Sequence, residues 1–223
     1  MKKYAIIVAG GTGTRMGKVI PKQFLILNNA PILIHTIRRF FEYDNRIEII
    51  LVLPKAQIEY WKKLCENFDF NIKHKIVEGG STRFYSVRNG LKLISENGLV
   101  AVHDGVRPLV SRDLINRCYI KAMEKGNAIP CIKVKDSLKV FDKNGCHSVD
   151  RDYYRAVQTP QVFYADMLKN AYSQRFSDNF TDDASVYESK GNMLYMVEGE
   201  ETNIKITTQL DLKIAEILLS NKF

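Results

Sequence analysis

The sequence has few cysteines and no long apolar run, and both absences narrow what the chain can be. Its four cysteines among 223 residues form no C-x-x-C pair, so the spacing predicts neither a zinc site nor a disulfide framework. Apolar runs such as Ala5–Val8 fall far short of the ~18–20 residues that span a bilayer. The N-terminus also lacks the apolar segment of a secretory signal. We therefore expect a cytoplasmic protein with free thiols and no membrane partner.

Positive charge is in excess, but the sequence has no basic stripe. Lys and Arg number 33 against 25 Asp and Glu, which gives a net charge of +8. These basic residues are scattered along the sequence. On nucleic-acid-binding surfaces they are often clustered and interleaved with aromatics, and that pattern is absent from this sequence. Small anionic ligands such as phosphates explain a scattered excess at least as well. We expect no nucleic-acid partner.

Short apolar strands alternate with amphipathic helices over the first 135 residues. The pattern predicts strands at 4–8, 47–53, 71–77, 99–103 and 128–134, and helices at 31–43, 57–68, 83–95 and 111–125. Ser111 is the expected N-cap of the last of these helices. Repeated βα units predict a mostly parallel, mixed sheet with helices on both faces. We therefore expect one Rossmann-like α/β domain over residues 1–223.

Residues 135–157 interrupt this alternation. They are rich in charge, with a predicted turn at Asp142–Gly145 between β-prone stretches at 137–141 and 147–149. A hairpin with so little apolar content needs another surface to become ordered. We therefore predict a projecting β-hairpin arm that supports dimerisation. Beyond it the pattern predicts helices at 164–176, 182–189 and 209–219, a strand at 192–197 and a short strand around Lys205.

A glycine-rich loop with its own cations follows the first strand. It runs Ala9-Gly10-Gly11-Thr12-Gly13-Thr14-Arg15-Met16-Gly17, and Lys22 comes shortly afterwards. Met16 occupies the third glycine position of a dinucleotide fingerprint, and Val19 stands where a P-loop needs Ser or Thr. Glycines let backbone N–H groups converge on phosphate oxygens. Phosphoryl transfer also needs cations where charge accumulates, so Arg15 and Lys22 are predicted catalytic residues. The alternative is a solvated turn with surface cations.

A second group of polar residues comes directly after the predicted strand at 99–103. Ligands of open α/β sheets bind beyond the carboxyl ends of the strands. Asp104 is suited to hold Mg²⁺ against triphosphate oxygens, and Arg107 is suited to clamp a phosphate. Alternatively, these two side chains form an ion pair that closes a turn. His103 is expected to be a hydrogen-bonded structural residue, because transfer to an ionised phosphate needs no base.

Three other features have both a functional and a structural interpretation. Gly80 precedes a helix that carries Ser86, so a flat base could approach the backbone there, although Ser81 or Thr82 could simply cap the helix. Thr181 is the expected cap of a helix whose first turn is acidic. Trp61 lies on a helical apolar stripe, which favours core packing over base stacking.

Together these segments closely resemble the 2-C-methyl-D-erythritol 4-phosphate cytidylyltransferases. Besides the glycine-rich loop, the resemblance runs through Pro21–Gln23, Gly79–Gly80 with Arg83 and Ser86–Val87, His103–Asp104 with Arg107–Pro108, Asp136–Lys139, Gln158–Gln161, Thr181–Ser185 and Asn203–Lys205. It implies transfer of CMP from CTP to methylerythritol 4-phosphate, with release of pyrophosphate, in non-mevalonate isoprenoid biosynthesis.

The resemblance also implies roles for individual residues. Arg15 and Lys22 match transition-state stabilisers, and Asp104 matches the acid on the metal side. The nucleotide-binding positions are Ala9, Gly10, Gly11, Gly13, Gly80, Ser86 and Gly105. The positions around the alditol phosphate are Arg107, Ser137, Arg151, Thr159, Thr181 and Lys205. In a homodimer, the arm would bring Ser137, Arg151 and Thr159 to the partner's active site.

Some positions depart from the family pattern and leave rivals open. Gly10 and Gly105 stand where alanines are common, as in the related ribitol 5-phosphate cytidylyltransferases, while Ser137 replaces a common Thr and Ser81 a common acid. The helix with Ser86–Val87 and Gly90–Leu91, together with the segment Thr181–Ser185, favours the methylerythritol branch. The other rivals are a UTP- or GTP-dependent nucleotide-sugar pyrophosphorylase and a non-catalytic nucleotide-binding module.

Overall fold

A computed structural model describes residues 1–10, 20–143 and 145–220 of the chain. The helices are α1 (Ile32–Tyr43), α2 (Lys55–Asn67), α3 (Arg83–Leu91), α4 (Arg112–Lys125), α5 (Ala165–Ala171), α6 (Asp183–Glu188) and α7 (Gln209–Ser220). The strands are β1 (Lys2–Val8), β2 (Ile26–Leu27), β3 (Ala30–Pro31), β4 (Glu48–Leu53), β5 (Lys75–Glu78), β6 (Gly98–Asp104), β7 (Asn127–Lys133), β8 (Leu138–Asp142), β9 (Gly145–Val149), β10 (Arg155–Val157), β11 (Gln161–Tyr164) and β12 (Met196–Glu198). Short 3₁₀ helices occupy Lys22–Phe24 and Arg151–Tyr153.

The main sheet is mixed, and its central part is parallel. The strand order is β10-β7-β11-β6-β1-β4-β5, with β12 also pairing with β7. Neighbours among β6, β1, β4 and β5 are parallel, whereas β11 runs antiparallel to both β6 and β7. Val8 pairs with Val52 on one side and with Asp104 on the other. The carboxyl ends of three strands therefore meet at one edge, and the predicted α/β architecture is confirmed.

Both faces of the sheet are covered, which explains why its central strands are apolar throughout. On β1, Ala5 and Ile7 belong to one buried cluster, together with Ile37 of α1. Ile6 points the other way and belongs to a second cluster with Val87 of α3. This two-residue alternation places helices against each face, as the βα pattern predicted.

Local signals fix several helix ends, with one correction. The Ser111 hydroxyl accepts a hydrogen bond from the Leu114 N–H at 2.9 Å, as expected of an N-cap. Helix α6 instead begins one residue later than predicted. Its cap is Asp182, which forms a reciprocal capping box with Ser185. Thr181 is therefore not the cap, because the Asp182 carboxylate accepts from the Ser185 N–H at 2.8 Å.

Two segments differ from the sequence-based prediction. Residues 161–164 form β11, which is inserted between β6 and β7, although the pattern predicted no strand there and a helix from Tyr164. Helix α5 begins one residue later, at Ala165. The strand predicted around Lys205 is wrong, because residues 203–207 are irregular. Ile206 nevertheless donates its N–H to the Val106 carbonyl at 2.9 Å. Ile204 and Ile206 alternate with polar residues, as in a strand. A single backbone hydrogen bond to the Val106 turn, however, does not form a β-ladder.

The hairpin lies outside the main sheet. Strands β8 and β9 pair only with each other within the described residues, with Leu138 opposite Val149. Phe141 on the hairpin is 80% exposed, and Tyr153 after it is 87% exposed. Strand β10, inside the predicted arm range of 135–157, pairs with β7 and so belongs to the main sheet.

Trp61 of α2 is fully buried and donates its indole N–H to His74 Nε2 at 2.9 Å. The predicted packing role is confirmed. None of the helices in the described ranges is long and apolar enough to cross a membrane.

Candidate active site

A cavity of about 330 Å³ opens where the carboxyl ends of β1, β4 and β6 meet. This is the edge at which ligands of open α/β sheets bind. Its described walls are Val8–Gly10, Lys22 and Gln23, Val52–Pro54, Gly79–Arg83, Ser86, Asp104, Val106 and Lys205.

The cavity gathers seven of the predicted site residues from segments far apart in sequence. These are Ala9, Gly10, Lys22, Gly80, Ser86, Asp104 and Lys205. Six others do not line its described walls, namely Gly105, Arg107, Ser137, Arg151, Thr159 and Thr181. The predicted residues Gly11, Gly13 and Arg15 lie outside the described part of the chain.

Asp104 is the centre of the site's charge. Its carboxylate lies 3.0 Å from Lys205 Nζ, 3.3 Å from Arg107 Nε and 3.7 Å from Arg83 Nε. Burial alone would raise the pKa of this carboxyl, but the charges of the three cations outweigh burial and hold the pKa well below its usual range. Asp104 is therefore ionised. The ion pair with Arg107, which the sequence left as an alternative, is present.

Arg83 connects Asp104 to a second, fully buried acid. Arg83 Nη2 donates to Asp183 Oδ2 at 2.6 Å, and the Tyr172 hydroxyl donates to Asp183 Oδ1 at the same distance. Burial lowers the pKa of the Arg83 guanidinium, but the charges of Asp183 and Asp104 more than offset this effect and raise it. No role of its own was predicted for Arg83. Asp183 is 100 residues away, and no local pattern links the two.

Hydrogen bonds between the Ser86 hydroxyl and the backbone hold the Gly79–Ser86 wall in place. The Gly80 N–H donates to Ser86 Oγ at 3.1 Å, and the Ser86 hydroxyl donates to the Thr82 carbonyl at 2.9 Å. A Cβ at Gly80 would lie 2.3 Å from Tyr85 Cβ, so only glycine fits. Thr82 caps α3, as one of the sequence interpretations allowed. Capping and cavity lining thus occur in the same segment.

Gln23 fixes the segment that carries Lys22. The Gln23 side chain is fully buried and donates to the Ala9 carbonyl at 2.9 Å and to Gln57 Oε1 at 2.6 Å. These bonds hold the 3₁₀ helix against the end of β1, beside the cavity. The Pro-Lys-Gln motif was the available signal for Gln23, but its partner could not be read from sequence.

Behind Asp104 lies a buried layer that contains Thr159 and Arg107, two residues predicted to bind substrate. Thr159 Oγ1 accepts from the Asp104 N–H at 3.1 Å and lies 3.0 Å from His103 Nδ1. His103 Nε2 lies 3.1 Å from the Arg107 carbonyl. Burial lowers the pKa of His103 to about 4, so the ring is neutral near pH 7. His103 is structural, as expected.

The same layer anchors the irregular segment that presents Lys205. Asn203 is fully buried and donates its side-chain N–H to the Thr159 carbonyl at 2.9 Å. Arg107 Nη1 donates to the Asn203 carbonyl at 2.7 Å. Lys205 is thus held over Asp104 by contacts made two residues earlier.

Gly105 also acts through packing. A Cβ on Gly105 would lie 2.8 Å from Ala9 Cβ, so a glycine lets the 104–108 turn pack directly against the end of β1. The Gly105 N–H donates to the Val8 carbonyl at 2.9 Å. Gly105 therefore shapes the site from outside the cavity.

The remaining predicted residues lie elsewhere on this protomer. Ser137 and Arg151 are exposed on the arm, where the Arg151 guanidinium donates to the Lys135 carbonyl. Thr181 is exposed before α6. This chain alone does not bring these three side chains to the cavity.

The described residues offer a metal only part of a coordination sphere. They contain no cluster of three or more His, Cys, Asp or Glu side chains able to hold an ion. Asp104 is the single carboxylate among the cavity's described walls. This fits Mg²⁺, which is commonly bound by one or two carboxylates plus substrate phosphates.

Known proteins share this chain's sequence and fold over nearly its whole length. The model of the family "IspD: 2-C-methyl-D-erythritol 4-phosphate cytidylyltransferase" matches residues 4–221. The enzyme of that name from Bacteroides fragilis is 50% identical over 219 residues, covering 98% of this chain and 100% of the relative. The one from Phocaeicola vulgatus is 51% identical with the same coverage.

Solved structures agree with the sequence comparison. The 4-diphosphocytidyl-2C-methyl-D-erythritol synthase from Anaerococcus prevotii superposes with a TM-score of 0.83 at 30% identity, covering 98% of each chain. The 2-C-methyl-D-erythritol 4-phosphate cytidylyltransferase from Thermus thermophilus gives a TM-score of 0.80 at 31% identity, covering 99% of this chain and 100% of the other.

Proposed function

The chain belongs to the IspD family of 2-C-methyl-D-erythritol 4-phosphate cytidylyltransferases, and we propose that it performs the family's reaction in the cavity at the carboxyl edge of β1, β4 and β6. It is a nucleotidyltransferase of non-mevalonate isoprenoid biosynthesis. It transfers CMP from CTP to methylerythritol 4-phosphate and releases pyrophosphate.

One observation carries the assignment of the reaction to this cavity. Lys22, Arg83 and Lys205 line the same space as Asp104 and the Gly79–Ser86 wall. A triphosphate needs cations converging on its oxygens, whereas its base needs a flat approach to backbone. The cavity offers both, at adjacent walls.

The reaction needs charge stabilisation more than acid–base chemistry. A phosphate oxygen of methylerythritol 4-phosphate attacks the α-phosphorus of CTP, and the bond from that phosphorus to the β-phosphate oxygen breaks. Pyrophosphate leaves with the bonding electrons. Lys22 and Arg15 stabilise the charge that builds on the non-bridging oxygens, while Gly80 and Ser86 face the base. His103 has both ring nitrogens engaged and takes no part.

Asp104 is the residue that would hold Mg²⁺. When bound, the ion neutralises triphosphate charge and orients the leaving group. Lys205 and Arg107 keep Asp104 ionised, so its carboxylate can serve a cation without first losing a proton. Lys205 is also placed to contact the substrate's phosphate from the cavity wall.

A homodimer would bring the remaining predicted residues into use. Ser137 and Arg151 are exposed on an arm whose apolar residues Phe141 and Tyr153 are left uncovered by this protomer. A second copy that covers this arm would bury those rings. The arm could then present Arg151 to the methylerythritol phosphate in the partner's cavity, whereas Thr159 is buried behind Asp104. We also infer a cytoplasmic location, which the four unpaired cysteines and a nucleotide substrate support.

A substrate panel tests this function. The purified chain is incubated with Mg²⁺, one of CTP, UTP, GTP or ATP, and either methylerythritol 4-phosphate or ribitol 5-phosphate, and pyrophosphate release is measured. We expect rapid release with CTP and methylerythritol 4-phosphate, and its loss in Arg15→Ala. Faster release with ribitol 5-phosphate would reassign the alditol. Unchanged release by Arg15→Ala, or none with any pair, would overturn the proposal.

A further inference from the structure

Asp183 lies at the start of α6, behind the cavity. It is the last member of a chain of ion pairs that runs from Asp104 through Arg83 to Asp183, which we call the relay. The carboxylate is fully buried. One oxygen accepts from Arg83 and the other from Tyr172, each at 2.6 Å. Arg83 turns its Nε edge to Asp104, 3.7 Å away. Asp183 does not line the described walls of the cavity, and Arg83 connects it to Asp104.

The electrostatic consequence follows from counting charges. Arg83, Arg107 and Lys205 face Asp104 within ion-pair distance, so three cations surround one acid. Asp183 adds a second acid, which leaves the group with one excess positive charge instead of two. The Arg83 side chain is 29% exposed, and a partly buried cation without a counter-ion is costly, so Arg83 without Asp183 would draw on Asp104 for its compensation.

The geometry shows that Arg83 divides its interactions unequally. Its bond to Asp183 is short and direct, whereas its distance to Asp104 is more than 1 Å longer (2.6 Å against 3.7 Å). Tyr172 is fully buried, and its hydroxyl donates to the carboxylate oxygen of Asp183 that Arg83 does not contact. Burial raises the pKa of this phenol well above its ordinary value, so it stays protonated and donates. Asp183 is therefore fixed in place from two sides.

We propose that Asp183, oriented by Tyr172, is a positioning residue for nucleotidyl transfer. It supplies the counter-charge that holds Arg83 at the cavity wall and leaves the Asp104 carboxylate available to the nucleotide and its cation. This proposal rests on the function assigned to the cavity above. It extends the site to a residue that does not touch the substrate.

Asp183→Asn removes the negative charge and keeps the shape: the amide oxygen can still accept from Arg83, while the amide NH2 faces the Tyr172 hydroxyl, which can accept from it instead of donating. We expect kcat to fall by about tenfold, since uncompensated Arg83 pairs with Asp104. The KM for CTP should stay equal or fall, because the cavity becomes more positive. The dissociation constant of CTP, measured by calorimetry without the alditol phosphate, should follow KM. Loss of CTP affinity in a protein with a normal circular dichroism spectrum would overturn the proposal.

A double-mutant cycle asks whether Asp183 acts through Arg83. In an Arg83→Gln background, Asp183→Asn should change kcat by less than about twofold, because no cation remains to be compensated. An equal loss in both backgrounds would contradict the relay. Asp178→Asn, an exposed acid between α5 and α6, is the matched control and should leave kcat and KM unchanged.

Tyr172→Phe covers the case in which Asp183→Asn does not fold. It keeps every charge and removes one hydrogen bond, so kcat should fall less than in Asp183→Asn with the KM for CTP unchanged. Unchanged kcat would count against the relay. Wild-type pyrophosphate release in the same assay separates the proposed function from the relay. If the wild type is inactive, the proposed function fails. If the wild type is active but the variants do not show the expected changes in kcat, only the relay fails.

Discussion

Lys22 enters the cavity from a 3₁₀ helix only three residues long, so its position depends on its neighbour. Gln23 is fully buried and tied to the Ala9 carbonyl and to Gln57. Such a tether lets a flexible lysine act with little ordering cost in the transition state. At the residue scale, Lys22 is held beside the cavity because the side-chain amide of its neighbour Gln23 is fixed by two hydrogen bonds.

We expect Lys22→Ala to lower kcat by roughly 10²–10³-fold, as removal of an oxyanion-stabilising donor does in other enzymes. The KM for CTP should rise much less, because the contact strengthens as charge develops. Steady-state pyrophosphate release over a range of CTP concentrations measures both. Lys63→Ala, an exposed lysine of α2, serves as the control. A raised KM with unchanged kcat would show that Lys22 only binds CTP.

At the scale of elements, α2 is fastened to the chain leading into β5 by one hydrogen bond between rings. The Trp61 indole donates to His74 Nε2, and His74 Nδ1 lies 2.7 Å from the Ile72 carbonyl. This arrangement requires a neutral imidazole with its proton on Nδ1. Burial lowers the pKa of His74 below its ordinary value of 6.5, although the Ile72 carbonyl opposes the shift. The bond is therefore intact at neutral pH.

Protonation of His74 should cost stability in acid. Because the folded pKa is depressed, this stabilisation is fully present above pH 6.5 and is lost as the pH falls below it. We expect the wild type to lose about 1 kcal/mol more than His74→Gln between pH 7 and pH 5, the net worth of a hydrogen bond. Urea unfolding at both pH values measures it, with the exposed His147→Gln as control. Equal losses in wild type and His74→Gln would contradict the argument.

At the scale of the whole molecule, the hairpin arm has no core of its own. Its strands pair with each other within the described residues, and Phe141 and Tyr153 are almost fully exposed. Two-stranded hairpins are marginal in water, and we propose that a second copy of the chain supports this one. In such a dimer each cavity would receive Arg151 from its partner.

Mixing two inactive variants tests whether active sites are shared. Lys22→Ala and Arg151→Ala should each be inactive or nearly so, with Arg151→Ala binding CTP normally and the alditol phosphate poorly by calorimetry. After mixing and subunit exchange, random pairing should restore about a quarter of wild-type activity, because each heterodimer regains one intact site. Arg175→Ala, an exposed arginine after α5, is the control for Arg151→Ala. No recovery in a mixture shown to exchange subunits would mean that Arg151 serves its own chain.

The sequence by itself determined the parts of this protein that depend on local energies. A few neighbouring residues suffice to specify each of these parts: the apolar strands β1, β4 and β6, the Ser111 cap and the hairpin turn. Since parallel strands end at a common edge, the same runs also located the cavity, and seven predicted residues meet there.

Tertiary structure alone decided how distant segments meet. Arg83 finds Asp183 across 100 residues, and Gln23 finds Gln57. Strand β11 lies between β6 and β7, a position that no local pattern predicted. Periodicity fixes which face of an element is buried but not which element covers it. An ion pair between segments therefore exists only once the order of strands and helices has been set.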